Sequence, residues 1–224
     1  MSGEAQFFEA IRSGDAAKVA SLLDAEPGLL EAKNAQGQSG VLAATYNGRR
    51  EIRDLLIARG ARLELHEAVA AGQLGRVREL AEKDELLAKS ISPDGFPLLA
   101  LAAAFGHQEI AAYLRAKGAD VNAIATNGTG YTALTGAVTG GHAKIVEWLL
   151  AEGGDVNYRY GPGYSPLLAA AANGHLEIVR MLLEHGAELQ AKTNDGKTAL
   201  QIAEERKHTH VAEFLKSRSQ SAKA

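Results

Sequence analysis

Four histidines, His107, His142, His175 and His208, recur at near-regular spacing, and imidazole nitrogens are common ligands for transition metals. Distance argues against a shared ion. Stacked helical layers lie about 8–10 Å apart, whereas a bound zinc sits about 2 Å from each ring nitrogen. One turn histidine per structural repeat is the reading that fits. His208 and His210 are closer together, but two ligands do not complete a coordination sphere, and a solvated cap is the simpler account. No metal ligand is predicted.

Gly128-Thr129-Gly130-Tyr131-Thr132-Ala133 matches the loose glycine pattern of dinucleotide-binding turns. That chemistry needs a strand before the glycines and a helix start aimed at the pyrophosphate, and this segment lies between two helical patterns. Gly161-Pro162-Gly163 reads as turn chemistry. Asn127-Gly128-Thr129 is formally a glycosylation acceptor, inert without secretion. There is no phosphate loop, serine nucleophile elbow or paired-histidine zinc motif. With no cysteine, thiolate nucleophiles, disulfides and Cys-ligated metals are excluded. No catalytic residue and no cofactor is predicted, and the chain is not expected to be an enzyme.

The formal net charge is -3, with both signs interspersed, which argues against a nucleic-acid binder resting on a basic face. Arg49, Arg50, Arg53, Arg76 and Arg78 form only a modest basic strip, best read as a solvated helix face. No run approaches the ~18 apolar residues that span a bilayer, and Met1 to Gln6 lack a signal-peptide pattern. A cytoplasmic monomer without membrane or nucleic-acid partners is the expectation. Only 5% of the residues are aromatic, so alanine and leucine must fill the core.

The elements that would position these residues follow from a repeat. A glycine, usually followed by a polar residue, falls at Gly14, Gly48, Gly72, Gly106, Gly141 and Gly174, with Lys207 in the seventh slot. Subtraction gives intervals of 34, 24, 34, 35, 33 and 33. Four residues before each marker stand Ala10, Ala44, Ala68, Ala102, Ala137, Ala170 and Ala203. Eight after it stand Leu22, Leu56, Leu80, Leu114, Leu149, Leu182 and Leu215. Seven before it, Phe7, Val41, Leu65, Leu99, Leu134, Leu167 and Leu200 are all apolar. Apolar residues three and four apart line one face of a helix, and a glycine between two such helices permits a tight reversal. Each unit is therefore a helix pair whose apolar face is buried by stacking on its neighbours.

The later units resemble the ankyrin repeat: Gly106-His107 with Gly118-Ala119-Asp120-Val121-Asn122, Gly141-His142 with Asp155-Val156-Asn157, Ser165-Pro166-Leu167 with Gly174-His175, and Asp195-Gly196-Lys197-Thr198-Ala199-Leu200. The resemblance implies an all-α solenoid of seven helix-turn-helix units with short β-hairpin-like fingers. It also implies a concave face of fingers and first helices that binds proteins. The expected organisation is one domain over 1–216, with units near 5–33, 37–62, 63–90, 95–124, 130–158, 163–191 and 196–216, and a flexible polar tail at 217–224. Two departures stand out. The histidine of the family's Thr-Pro-Leu-His helix start is kept only at His66, with Leu42, Ala100, Thr135, Leu168 and Gln201 elsewhere, so its hydrogen bonds must be missing or replaced. The short interval runs Gly60-Ala61-Arg62-Leu63 almost straight into a helix, which predicts a deleted finger between units two and three and a divided concave face.

Fingers are exposed connections, where unusual residues carry the most information. Phe96, Tyr131, Tyr158, Arg159, Tyr160 and Tyr164 fall in the fingers after units three to five, and the finger from Ala123 to Tyr131 looks two residues longer than its neighbours. Tyrosine and arginine are favoured binding anchors; packed on adjacent fingers, the same rings would instead stiffen the ridge. Tyr46 and Phe105, near the ends of first helices, complete the candidate partner-binding set. Replacing Tyr158 and Tyr160 together is expected to remove binding and spare the fold. The leading function is a non-enzymatic module that binds another protein through units three to six. The alternatives are a small-molecule or catalytic pocket at the tyrosine-rich fingers, and a structural self-associating protein.

Overall fold

The computed structural model describes residues 2–82 and 88–221. It divides into two compact bodies, one ending at Leu80 and one beginning at Ala81. The N-terminal body holds α1 (Gly3–Ser13), α2 (Ala16–Ala25), α3 (Gly40–Tyr46), α4 (Arg50–Ala58), α5 (Leu65–Ala70) and α6 (Leu74–Ala81), which reaches the boundary. The C-terminal body holds α7 (Leu98–Ala104), α8 (Gln108–Ala116), α9 (Ala133–Gly140), α10 (Ala143–Ala151), α11 (Pro166–Ala172), α12 (Leu176–Glu184), α13 (Ala199–Glu205) and α14 (Thr209–Ser221). α14 thus continues past residue 216, where the sequence suggests a tail. The architecture is an all-α repeat. Among the described residues, β-type pairing is confined to isolated bridges, and no helix is long and apolar enough to cross a membrane.

Short helices of this kind are marginal alone, and caps and packing hold them. Ser39, Thr132, Ser165 and Thr198 each accept the backbone N–H three residues on, closing the N-termini of α3, α9, α11 and α13. Each pair reverses through the marker residue in the left-handed region, with φ of 67–87° at the six glycines and 62° at Lys207. Within the C-terminal body the first helices pack in sequence, α7 on α9, α9 on α11 and α11 on α13, while α10, α12 and α14 form the second layer. The alanine column is what permits this approach: all seven members are at most 2% exposed. At Gly136 the helices come closer still. A Cβ there would lie 3.1 Å from the Ala100 carbonyl oxygen and 3.2 Å from the Ala104 methyl.

Two details differ from the counted pattern. Leu22 and Leu80 are only half-buried, and Val19 with Leu23, and Val77 with Ala81, point inward instead. In the other five pairs the buried residues are an isoleucine or valine four after the marker and the leucine eight after it. The position four after the marker is Lys18 in α2 and Arg76 in α6; a cation cannot take the core position, so the helix presents its next residues. The second difference is at α5, whose N-cap is Glu64. His66 is therefore the second helical residue, and Glu67 fills the third, where the family's histidine would stand. The Glu67 carboxylate accepts the Glu64 N–H at 2.8 Å. Thr135 and Gln201 do the same for Thr132 and Thr198, at 2.7 and 3.0 Å, so the expected replacement of the histidine's bonds takes the form of capping boxes.

Candidate functional site

The fingers set the geometry of the candidate site. Three close in the same way, with a backbone N–H donating to the carbonyl four residues on: Asn34 to Gln38, Ser92 to Phe96 and Thr193 to Lys197, at 2.8–3.0 Å. In each, the first residue's side chain also accepts the returning N–H, at 3.0–3.1 Å, the short-range bond that favours these residue types in turns. Tyr160 occupies the equivalent slot in the finger closed by its 2.9 Å bond to the Tyr164 carbonyl. A phenol cannot make the local bond, and the turn is built by Gly161-Pro162-Gly163, with both glycines at positive φ. The finger from Ala125 to Tyr131 encloses two more residues than these. Its extra length clips it to the preceding finger: the Thr126 N–H donates to the Gly95 carbonyl at 2.8 Å and the Asn127 amide to the Asp94 carbonyl at 2.9 Å.

Freed from the turn, the Tyr160 ring packs inward and is 9% exposed. Tyr131 meets it edge-on at 5.2 Å between centroids, and Tyr158 and Tyr164 lie at 6.5 Å, the former nearly parallel. Phe96 extends the cluster to Tyr131. The Tyr160 phenol lies beside Thr139, whose own hydroxyl donates to the Thr135 carbonyl at 2.8 Å. Burial pushes the Tyr160 phenol well above the ordinary range; the neighbouring Tyr131 adds to this, and the Thr139 side chain opposes it. Five of the eight predicted partner-binding residues thus form one ring cluster. Arg159 is exposed, with its guanidinium on the Lys192 carbonyl. Phe105 is half-buried at the C-terminal end of α7, and Tyr46 ends α3 in the other body.

An open groove of about 420 Å³ runs along this cluster. Tyr131, Tyr160, Pro162 and Tyr164 form its finger side, and Thr139, Ala172, Asn173 and Arg206 its helix side. None of the four helix-side residues is in the predicted partner-binding set, although Asn173 and Arg206 hold the same slot just before consecutive markers. A second unpredicted pair is Ile91 and Ile124, exposed at 46% and 48% and both one residue before a finger-closing donor.

The histidines do structural work. His142 Nε2 lies 3.0 Å from the Ala104 carbonyl oxygen, and His208 Nε2 lies 3.1 Å from that of Ala172, each at the end of the preceding first helix. Their rings and that of His175 sit against Gly106, Gly174 and Gly141, where a Cβ would come within 2.9 Å of them. Arg49 plays this part in the N-terminal body, with Nη2 2.8 Å from the Arg12 carbonyl oxygen. Among the described residues no three His, Asp or Glu side chains form a metal-binding group. Asn122 donates to the Gly153 carbonyl at 3.0 Å and accepts the Asp155 N–H at 2.9 Å. Asn157 repeats this with Gly186 and Glu188.

A family model described as "Ankyrin repeats (3 copies)" matches residues 65–160 and 152–223. No curated protein matches the chain.

Proposed function

Because the chain belongs to the ankyrin repeat family, we propose that it is a non-enzymatic module that binds another protein through the fingers and first helices of its C-terminal body. The observation that carries this reading is the open groove beside the tyrosine fingers, whose half-exposed rings, Tyr131 and Tyr164, are held by the buried Tyr160. Preformed aromatic surface binds at low ordering cost. The groove's lining combines aromatic rings and alanines with one cation and no carboxylate, the composition of a contact surface. The seven helix pairs are read as seven repeats. The ridge of fingers lacks one between the second and third, a reading supported by the six-residue connection 59–64, which contains no β-bridge.

The test uses the half-exposed rings, because Tyr160 is part of the packing. A protein captured by the chain and then purified should bind at least ~10-fold more weakly to Tyr164→Ala, the loss of one aromatic anchor, with the thermal melt nearly unchanged. Undiminished binding to Tyr164→Ala and to Tyr131→Ala would show that the partner sits elsewhere.

A further inference from the structure

Two polar side chains on the helix side of the groove, Asn173 and Arg206, share a property that sets them apart from their counterparts. Asn173 and Arg206 occupy the same slot on consecutive first helices, at the C-terminal ends of α11 and α13. Asn47, in that slot on α3, turns its amide back onto the Ala43 carbonyl at 2.8 Å. Neither the Asn173 amide nor the Arg206 guanidinium makes a side-chain hydrogen bond or ion pair among the described residues. The adjacent carboxylate, Glu205, is already committed to Lys197 at 2.6 Å. Two neighbouring donors, one of them cationic, therefore face an aromatic groove without an internal acceptor.

Building on the protein-binding reading, we infer that the groove takes an extended peptide segment carrying an aspartate or glutamate side chain, with the carboxylate on Arg206 and Asn173 and an adjacent apolar residue against Tyr164 and Tyr131. A guanidinium pairs with a carboxylate through two parallel N–H···O bonds, and an amide NH2 supplies a further donor. An internal side chain is favoured over a chain terminus because the lining also includes the apolar surface of Ala169, Ala172, Tyr164 and Tyr131. A single terminal carboxylate would leave that surface uncovered. The specificity lies in charge complementarity, since no lining residue of the groove is anionic; a basic segment would meet Arg206 with like charge.

The probe is a displayed library of random linear peptides, selected on the full chain and in parallel on Arg206→Glu, Arg206→Gln and Tyr164→Ala. The expected result is enrichment of an Asp or Glu next to an apolar residue on the wild type. A synthetic copy of the selected peptide should lose roughly 10- to 100-fold in affinity for Arg206→Gln, the range for a charged hydrogen bond, and Arg206→Glu should select basic peptides instead. Peptides that depend on Tyr164 but show no acidic preference would overturn the carboxylate assignment and leave the binding-module reading standing. Peptides indifferent to both positions, or none selected at all, would overturn both. Arg206 is exposed, and matched melting curves for the two Arg206 variants separate a binding effect from a folding one.

Discussion

Replacing Tyr160 with alanine should destabilise the C-terminal body far more than the same change at Tyr158, though the two rings stack and lie two residues apart. Tyr160 is 9% exposed and touches three other rings, whereas Tyr158 is half-buried and stacks on Tyr160 alone. Truncating a buried aromatic costs ~3–5 kcal/mol through lost transfer energy and the cavity left behind. Losing one aromatic pair at the surface costs about 1 kcal/mol. The hydroxyl adds little to the difference, because Thr139 keeps its own bond to the Thr135 carbonyl. For a chain of this length each kcal/mol moves the melting temperature by roughly 2–4 °C, so Tyr160→Ala should fall by ~6–20 °C and Tyr158→Ala by ~2–4 °C. Helical circular dichroism during heating, with a urea titration as a second measure, reads both. Equal shifts for the two variants would refute the division of the cluster into a buried member and exposed ones. The same arithmetic disqualifies the Tyr158/Tyr160 double replacement as a binding test.

The Tyr160 phenol is held protonated by burial, so in the folded state it ionises above its ordinary value of 10.0. A raised folded value contributes stability that is complete below the unfolded value and is lost as pH rises through the folded one. The wild type should therefore lose stability above about pH 10 more steeply than Tyr160→Phe, and its last tyrosine to give a tyrosinate absorbance should disappear in that variant; identical alkaline profiles would contradict the assignment. Asn122→Ala removes one bond given and one accepted between consecutive repeats, and should cost about 1–2 kcal/mol. Hydrogen exchange at the Asp155 amide should accelerate selectively, and unchanged exchange there would mean that the bridge carries no load.

The repeat was legible because stacking imposes the same demand on every layer: the position four before the marker must be small, and all seven alanines there are buried. Counting from the marker failed where a local residue changed what the helix could bury. Lys18 and Arg76 displace Leu22 and Leu80 by about 100°, one residue's rotation. The short connection before α5 starts that helix a residue late, so Glu67 rather than His66 takes the capping position. The tyrosines were conspicuous by type, but their unequal burial depends on which ring the finger turns inward. Asn173 and Arg206 gave no signal for a different reason. Both residue types are favoured at helix C-termini on local grounds, and only their position opposite the fingers distinguishes them.

One residue accounts for most of what is particular to this groove. At the slot of Asn34, Ser92 and Thr193, a short polar side chain closes its own turn and the finger is self-contained. Tyr160 gives up that local bond, worth about 1 kcal/mol, and recovers more by burying its ring. The exchange ties the finger to its neighbours: Tyr160 reaches Thr139 near the end of α9, Tyr131 on the preceding finger and Tyr164 on its own. A partner meeting Tyr131 and Tyr164 then finds rings already ordered, and less of its binding energy is spent immobilising them. The stiffening role and the binding role of the aromatic cluster are therefore sequential rather than competing. The buried ring fixes the positions from which the exposed rings can act, which makes the finger's rigidity a condition of the affinity of the groove.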